Sequence, residues 1–372
     1  MEALIIGPIL NPSAVSGEFN TALNWAKAVR LAGAHVKVLC LGSMCSGYYR
    51  IDGLNIECIS MKQRTATLMD FFKLQKEVVE RIRDFNVVHF AMNADGISFT
   101  PMLSLLKLAG RKIINSYLLR NLPLEIYTFF NKIVLFDLLT VTSKRLSYLF
   151  VREYKNRTKI EVIPPCVDTN FFKPRDKFVI QEKLNLPRDS FLILTLGHFR
   201  SGRRISSLIK IVDELREEYK NIVLMVGWTG YGDVDNINEI FSLREKKGFI
   251  KIIPPTSNIN LYYNAADVYV LTAKSDSIIE VPISIIEALS SGTPVIAFDV
   301  NAVSEIIKNG FNGYLIEDGN FREMKLKIAS LIDDPNLLKY FSVNARNITL
   351  NNFSYKVIGR KLYDIYKSVV TY

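Results

Sequence analysis

The stretch PISIIEALSSGTPVIAF, residues 282–298, contains the pattern that decides the fold class. It opens on a proline, which suits the first turn of a helix, and continues with mostly apolar residues. After Gly-Thr-Pro, the apolar run Pro294–Phe298 predicts a buried strand. A helix that leads directly into a buried strand is the repeating unit of α/β proteins, so we predict an α/β fold.

The same alternation extends in both directions from this stretch. It predicts strands at Ala3–Gly7, His35–Leu41, Asn86–Ala91, Arg111–Ser116, Leu138–Thr142 and Ile160–Ile163, and then at Phe191–Gly197, Ile222–Gly227, Phe249–Ile253, Asp267–Leu271 and Gly313–Ile316. Helical patterns lie between the strands, which favours two parallel sheets covered on both faces. The segment PPCVDTNFFKP, residues 164–174, breaks the rhythm, and we therefore predict domains over residues 1–172 and 173–354. A last helix over residues 355–372 is expected to pack back on the first domain.

Composition agrees with a globular protein of about two domains. The chain has 372 residues, of which 49% are hydrophobic and 23% charged, and this excludes disordered, collagen-like and coiled-coil proteins. Four cysteines form no C-x-x-C pair, the N-terminus has no signal-peptide pattern, and no apolar stretch is long enough to span a membrane. We therefore expect a cytoplasmic protein.

The charge is strongly basic and unevenly distributed. The net charge is +10, and residues 1–172 carry 21 Lys and Arg against 14 Asp and Glu. Such an excess indicates a polyanionic partner, either nucleotide phosphates, an anionic membrane or nucleic acid, unless it is only a solvated basic surface. Lys107, Arg111, Arg145 and Arg152 lie next to apolar helical residues. This pattern is typical of peripheral contact with an anionic membrane on its cytoplasmic face; the alternative is that the apolar faces belong to the core and the basic residues form a solvated rim.

Ligands of open α/β sheets bind at the carboxyl ends of the strands. The loop HFRSGRR, residues 198–204, follows the predicted strand Phe191–Gly197 and leads into a helix. Guanidinium groups beside a helix N-terminus suit a diphosphate, and a solvated basic loop is the alternative. Glu287 lies in an otherwise apolar helix, where a ribose cis-diol could engage both carboxylate oxygens; exposure to solvent is the alternative.

Three other features have two interpretations each. The loop of residues 7–17, which ends at Gly17, either approaches a sugar or phosphate or only connects a strand to a helix. His89 lies near a strand end and either contacts the ligand or is structural. Asp233-Val234-Asp235 matches a metal-binding tripeptide, but we interpret it as a turn or helix start and expect no metal site.

The block EALSSGTPVIA, residues 287–297, resembles the E-A-M-A-x-G-x-P-V-I-A block of the retaining glycosyltransferases of family 4, which have the GT-B fold. The resemblance continues through SEII at 304–307 and NGFNGYL at 309–315. VIPPCVD at 162–168 is similar to the interdomain V-I-P-N-G-V-D of that family, and ADVYV at 266–270 to its A-D-V-F-V strand. The resemblance is strong over residues 160–316 and weak in the N-terminal domain.

This resemblance implies two Rossmann-like α/β domains that face each other across a cleft, with the C-terminal helix crossing back to the N-terminal domain. Family members contact the donor through an E-x7-E pair, whose second Glu matches Glu287 and whose first falls on Ile279, beside Glu280. Their diphosphate-binding Arg and Lys fall on His198 and Arg203. The implied catalytic residues are Arg203, Glu280 and His89, and the implied donor-binding residues are Gly17, His198, Arg200, Arg203, Arg204, Ile279, Glu280, Pro282, Ile283 and Glu287.

The implied activity is hexosyl transfer, with retention of anomeric configuration, from a UDP- or GDP-linked sugar to a hydroxyl of a glycan, a glycolipid or another lipid-linked acceptor. The acceptor is expected to bind the N-terminal domain. The nucleotide sugar is a substrate, and no cofactor, metal or nucleic-acid partner is expected, because arginines can stabilise the diphosphate leaving group. The residues alone leave one alternative open, a non-catalytic protein that binds nucleotides or nucleic acid.

Overall fold

The computed structural model describes residues 1–7, 17–43, 47–51, 53–61, 68–80, 84–91, 106–117, 136–153 and 159–371. The chain divides into two compact units. The first comprises Met1–Cys166, Ile279–Val281 and Tyr355–Tyr372, and the second comprises Val167–Ile278 and Pro282–Ser354. Each unit is built around its own sheet, which confirms the predicted pair of α/β domains.

The first unit contains a sheet of eight strands in the order β3-β4-β2-β1-β5-β6-β7-β8. Their bounds are β1 Glu2–Ile6, β2 His35–Ser43, β3 Gly47–Ile51, β4 Leu54–Met61, β5 Val87–Phe90, β6 Lys112–Tyr117, β7 Leu138–Val141 and β8 Ile160–Val162. All neighbours pair in parallel except β3 with β4. The described helices of this unit are α1 Gly17–Leu31, α2 Leu68–Glu80, α3 Lys144–Glu153 and the terminal helix, α12 Tyr355–Thr371.

The hairpin of β3 and β4 is a difference from the prediction, which placed no strand between residues 41 and 86. Gly53, between the two strands, has φ +78°, a conformation that glycine adopts without strain. The Asp-Gly dipeptide at 52–53 is a hairpin signal that could have revealed this pair from the sequence.

Helices α1 and α12 pack closely against each other within the first unit. A side chain at Gly359 would place its Cβ 2.1 Å from the carbonyl oxygen of Ala28. Tyr355 Oη donates to Asn24 Oδ1 over 2.5 Å, and Lys361 Nζ donates to the Val162 carbonyl over 2.7 Å. The terminal helix therefore belongs to the first unit, as its assignment to the same compact unit also shows.

The second unit contains a sheet of six parallel strands in the order β11-β10-β9-β12-β13-β14. The strands are β9 Phe191–Phe199, β10 Ile222–Gly232, β11 Ile250–Ile253, β12 Val268–Leu271, β13 Val295–Phe298 and β14 Gly313–Ile316. Its helices are α4 Lys177–Lys183, α5 Ile205–Leu215, α6 Val234–Lys246, α7 Ile259–Ala265, α8 Ile283–Ser290, α9 Val303–Ile306, α10 Phe321–Asp333 and α11 Pro335–Asn352.

The boundary between the units falls after Cys166, whereas the sequence placed it after residue 172. Arg346 of α11 accounts for this difference. Its Nη1 donates to the Phe172 carbonyl over 2.8 Å and its Nη2 to the Thr169 carbonyl over 2.9 Å, while Ser290 Oγ also donates to the Phe172 carbonyl. These bonds hold the segment after Cys166 in the second unit.

We expect Gly359→Ala to destabilise the protein, because a Cβ at this position overlaps the backbone of α1. Overpacking of this kind costs about 1–3 kcal/mol in the free energy of unfolding, which denaturant titration measures. Gly248→Ala is the control, since a Cβ there meets no atom within 4 Å. Equal stability of the two variants would contradict the close packing of α12 on α1.

Candidate functional site

The carboxyl end of β9 lies at the point where the strand order of the second sheet reverses. β9 pairs with β10 on one side and with β12 on the other, and chain order runs away from it in both directions. In open α/β sheets this position forms a binding crevice. The loop after β9 contains a short 3-10 helix, Ser201–Arg203, and α5 follows after Arg204, which has φ +52°.

Arg203 is the most unusual side chain of this loop. Its Nε is buried and has no hydrogen-bond partner in the part of the chain that the structure describes. The guanidinium packs on Gly197, where a Cβ would lie 3.1 Å from its Cζ. Burial lowers the pKa of Arg203 below its ordinary value. A half-buried cation with a buried, unsatisfied donor is costly, and an anionic ligand is the group that would satisfy it.

His198 and Arg200 lie beside Arg203 at the end of β9. His198 Nδ1 lies 2.9 Å from Thr229 Oγ1, and its ring meets the edge of the Tyr231 ring at 5.6 Å. Arg200 lies over the Tyr231 ring, 4.5 Å from its centroid, and donates to the Tyr231 hydroxyl. Burial, then Arg203, then Arg200 lower the pKa of His198 to about 4, so this imidazole is neutral at pH 7.

Arg204 points to a different environment from the other two arginines. Its Nη1 lies 2.5 Å from Asp318 Oδ1, and its guanidinium lies 5.4 Å from the centre of the Phe298 ring. The structure thus brings Arg203, Arg200 and His198 together and engages Arg204 with an acid of its own unit.

Glu287 lies in α8, which begins at Ile283 directly after Pro282. Its Oε2 accepts a hydrogen bond of 2.8 Å from the buried Tyr263 hydroxyl. Burial raises the pKa of Glu287 to about 7, partly offset by the Tyr263 hydrogen bond. The carboxyl group thus changes charge near neutral pH and has a second oxygen that Tyr263 does not engage.

Ile279 and Glu280 belong to the first unit, whereas the sequence grouped them with the donor residues of the second. The Glu280 side chain is fully buried, and Arg145 Nη1 donates to both of its oxygens over 2.9 Å. Ser143 Oγ donates to Glu280 Oε1 over 3.0 Å. Ile279 packs on Gly17, where a Cβ would lie 3.2 Å from its Cδ1. Both Glu280 oxygens are occupied by protein donors, which differs from the expected sugar contact.

His89 lies in the core of the first unit, and its placement also differs from the expected ligand contact. The ring is fully buried, with Nδ1 2.6 Å from Tyr366 Oη and Nε2 2.5 Å from Ser116 Oγ. Burial lowers its pKa to about 3, so the imidazole stays neutral. His89 therefore joins β5 to β6 and to α12.

Two further residues, one in each unit, carry no motif in the sequence. Tyr231 lies in no recognisable motif, and the structure places it beside Arg200 and His198. Glu18, in the first turn of α1 and next to Gly17, has its pKa raised to about 7 by burial. The only sequence signal for Glu18 is its position directly after the glycine-bearing loop of residues 7–17. The loop itself, residues 8–16, lies outside the described residues.

Asp233 directly precedes α6 and accepts a hydrogen bond of 3.3 Å from the Ser201 backbone N–H. Across the described ranges, no group of three or more His, Cys, Asp or Glu side chains is arranged to hold a metal ion. In the same ranges no helix is long and apolar enough to cross a membrane.

Comparison with known proteins places this site in a family context. Residues 176–348 match the family of glycosyl transferases group 1. The chain has the GT-B fold, and this match supports a glycosyltransferase. It is 21% identical over 343 residues to an uncharacterized glycosyltransferase of Haemophilus influenzae, with 91% of this chain and 93% of that protein covered.

Two further similarities concern proteins with named ligands or substrates. The UDP-Gal:alpha-D-GlcNAc-diphosphoundecaprenol alpha-1,3-galactosyltransferase of Escherichia coli is 27% identical over 224 residues, which cover 58% of this chain and 56% of that enzyme. The solved structure of Anabaena HepE in complex with UDP superposes with a TM-score of 0.76 at 16% identity, covering 99% of this chain and 100% of that one. At this identity the structural similarity establishes the fold.

We expect Arg203→Ala to weaken UDP binding by about tenfold to hundredfold, the loss typical of a charge-assisted hydrogen bond. The same change should leave the melting temperature unchanged or higher, because it removes a half-buried cation whose buried Nε lacks a partner. Calorimetry and thermal unfolding measure the two effects, with the exposed Arg244→Ala of α6 as the matched control. UDP affinity equal to that of the control would disprove the role of Arg203.

Proposed function

We propose that the chain transfers a hexose from a uridine diphosphate sugar to a hydroxyl acceptor, with retention of the anomeric configuration. The observation that carries this proposal is the buried Nε of the half-buried Arg203, which has no hydrogen-bond partner in the described chain, at the switch point of the second sheet. The UDP complex of HepE and the UDP-galactose substrate in the name of the Escherichia coli enzyme support a uridine nucleotide.

In this proposal the diphosphate binds at the end of β9. Negative charge grows on the departing diphosphate as its bond to the anomeric carbon breaks. Arg203 and Arg200 stabilise this charge, and the neutral His198 ring can donate a hydrogen bond without adding a further cation. These are side chains of the protein itself, so the proposed reaction needs no metal ion.

Retention is proposed without a protein nucleophile. Glu280 is held by Arg145 and Ser143, and Glu287 is bonded to Tyr263 and assigned to the ribose. The acceptor oxygen forms its bond to the anomeric carbon on the face that the diphosphate leaves. The acceptor hydroxyl proton passes to the departing diphosphate oxygen, so that charge and protons balance.

The acceptor is proposed to be lipid-linked and to bind the first unit, so that the enzyme works at a membrane surface. The lipid diphosphate named for the Escherichia coli relative supports this acceptor class. Helix α3 supports the membrane contact, because Tyr148 and Val151 are 69% and 61% exposed on the same face as the exposed Lys144 and Arg152.

Transfer of labelled sugar from UDP-glucose, UDP-galactose and their N-acetylamino forms tests the proposed function. We expect transfer to a lipid-linked acceptor that is faster in anionic than in neutral vesicles and that continues in EDTA. A product with inverted anomeric configuration, or activity lost in EDTA and restored by Mg²⁺, would contradict the mechanism. Salt-sensitive binding of RNA without any transfer would favour the non-catalytic alternative.

The affinity for UDP-glucose should rise with pH through about 7. The carboxylate form of Glu287 accepts ribose hydroxyls, and its pKa of about 7 leaves it mostly protonated below that value. The expected slope approaches tenfold per pH unit below pH 7 and vanishes above it. A diphosphate diester does not titrate in this range, so UDP-glucose is a better probe than UDP.

Glu287→Gln is the matched variant for this pH profile. It should bind UDP-glucose more weakly at pH 8 and show no change between pH 6 and 8. The same pH slope in the wild type and in the Gln variant would place the titrating group elsewhere.

A further inference from the structure

A groove of about 860 Å³ lies wholly within the first unit, at the amino ends of β1, β2 and β4. We call it the amino-edge groove. The lining side chains used in the argument are Arg30, Lys37, Tyr48, Arg50, Asn55 and Asp84. Its volume is in the range of small-molecule sites and far larger than a single ion requires. It lies at the opposite edge of the sheet from the carboxyl ends, where ligands of α/β sheets usually bind.

The strand register explains why polar side chains gather here. Arg50 of β3 is paired with Asn55 of β4, and Asn55 is paired with Lys37 of β2. Paired residues on neighbouring strands point to the same face, so the three side chains form one row. On the same face of β2, two residues further on, Leu39 packs with Leu74 and Val78 of α2. The row of polar residues thus begins where this helical cover ends.

Tyr48 provides the groove with an accessible aromatic ring. It is 75% exposed, and Lys37 Nζ lies 5.7 Å from its ring centroid. Tyr49, the next residue, does not line the groove, as expected from the alternation of side chains along a strand. A large exposed aromatic ring beside a cavity is a contact surface for the flat apolar face of a ligand.

The charges of the groove are mixed. Arg30, Lys37 and Arg50 line it together with Glu2 and Asp84, and Lys37 is already paired with Glu57 at 2.8 Å. A site for a polyanion would concentrate one sign of charge, so this balance argues against phosphate chains or nucleic acid. Guanidinium, carboxylate and amide groups together supply both donors and acceptors. Sugar hydroxyls need both, and a sugar ring also presents a C–H face to an aromatic ring.

We propose that the amino-edge groove is an accessory carbohydrate-binding site, which holds part of an uncharged oligosaccharide with Tyr48 against a sugar ring. The inference rests on the proposed function, because a glycosyltransferase works on carbohydrate chains. The site retains a glycan away from the position of transfer and so raises the local concentration of acceptor.

Saturation-transfer NMR and calorimetry on the full chain test this proposal. The probes are neutral hexose oligosaccharides, N-acetylamino-sugar oligosaccharides and uronic acid oligosaccharides. We expect a neutral or N-acetylamino oligosaccharide to bind, and Tyr48→Ala to weaken it by about tenfold or more. Tyr49→Ala is the matched control and should bind like the wild type. Arg50→Ala, also on the groove face, is the second variant if Tyr48→Ala fails to fold by circular dichroism.

Three results would overturn the proposal. The first is that no oligosaccharide binds. The second is that the Tyr48→Ala variant binds as well as the wild type, and the third is that only uronic acid oligosaccharides bind. UDP binding is measured on the same samples, and Arg203→Ala should keep oligosaccharide binding. If the wild type binds no UDP but binds glycan through Tyr48, the donor site alone is refuted. If it binds UDP but no glycan, the groove alone is refuted.

Discussion

A buried guanidinium N–H is costly unless an oxygen accepts its hydrogen bond, and in the second unit the buried Nε of Arg203 has no such partner among the described residues. The fold creates this situation in a simple way. β9 ends in Gly197-His198-Phe199 and turns sharply into α5, and the absence of a side chain at Gly197 leaves room for the guanidinium. The unsatisfied donor lowers the stability of the free protein. Binding sites commonly show such a loss of stability, because a ligand can supply the missing acceptor.

The charge of the loop can be counted group by group. Arg204 is neutralised by Asp318, and His198 stays uncharged because burial and the neighbouring arginines lower its pKa to about 4. Arg200 lies on the Tyr231 ring and keeps its charge. Two cations, Arg200 and Arg203, therefore remain, and this matches one negative charge on each phosphate of a diphosphate diester. A protonated His198 would add a third positive charge, one more than the two negative charges of a diphosphate diester.

The fold was predictable from the sequence because its signals are local. Alternating apolar runs and helices predict both sheets except for β3 and β4, and the block that begins at Glu287 carries the family resemblance. Apart from the β3–β4 hairpin, a local feature, what the sequence did not reveal depends on partners far apart along the chain. Arg346 moves the domain boundary by bonding carbonyls at Thr169 and Phe172, and no pattern at the boundary itself reports that.

The same reason explains the site residues whose placement differed. Glu280 and Glu287 lie on one short stretch, and the sequence groups both with the donor site. In the structure Arg145 and Ser143 hold Glu280 in the first unit, while Tyr263 bonds Glu287 in the second. The position of His89 near a strand end favours a ligand contact, but Tyr366 and Ser116 engage both of its ring nitrogens. A polar side chain near a strand end can bind a ligand only through hydrogen-bonding atoms that no protein group already engages. By that criterion the Nε of Arg203 and the second oxygen of Glu287 are the groups that the proposed nucleotide sugar would engage.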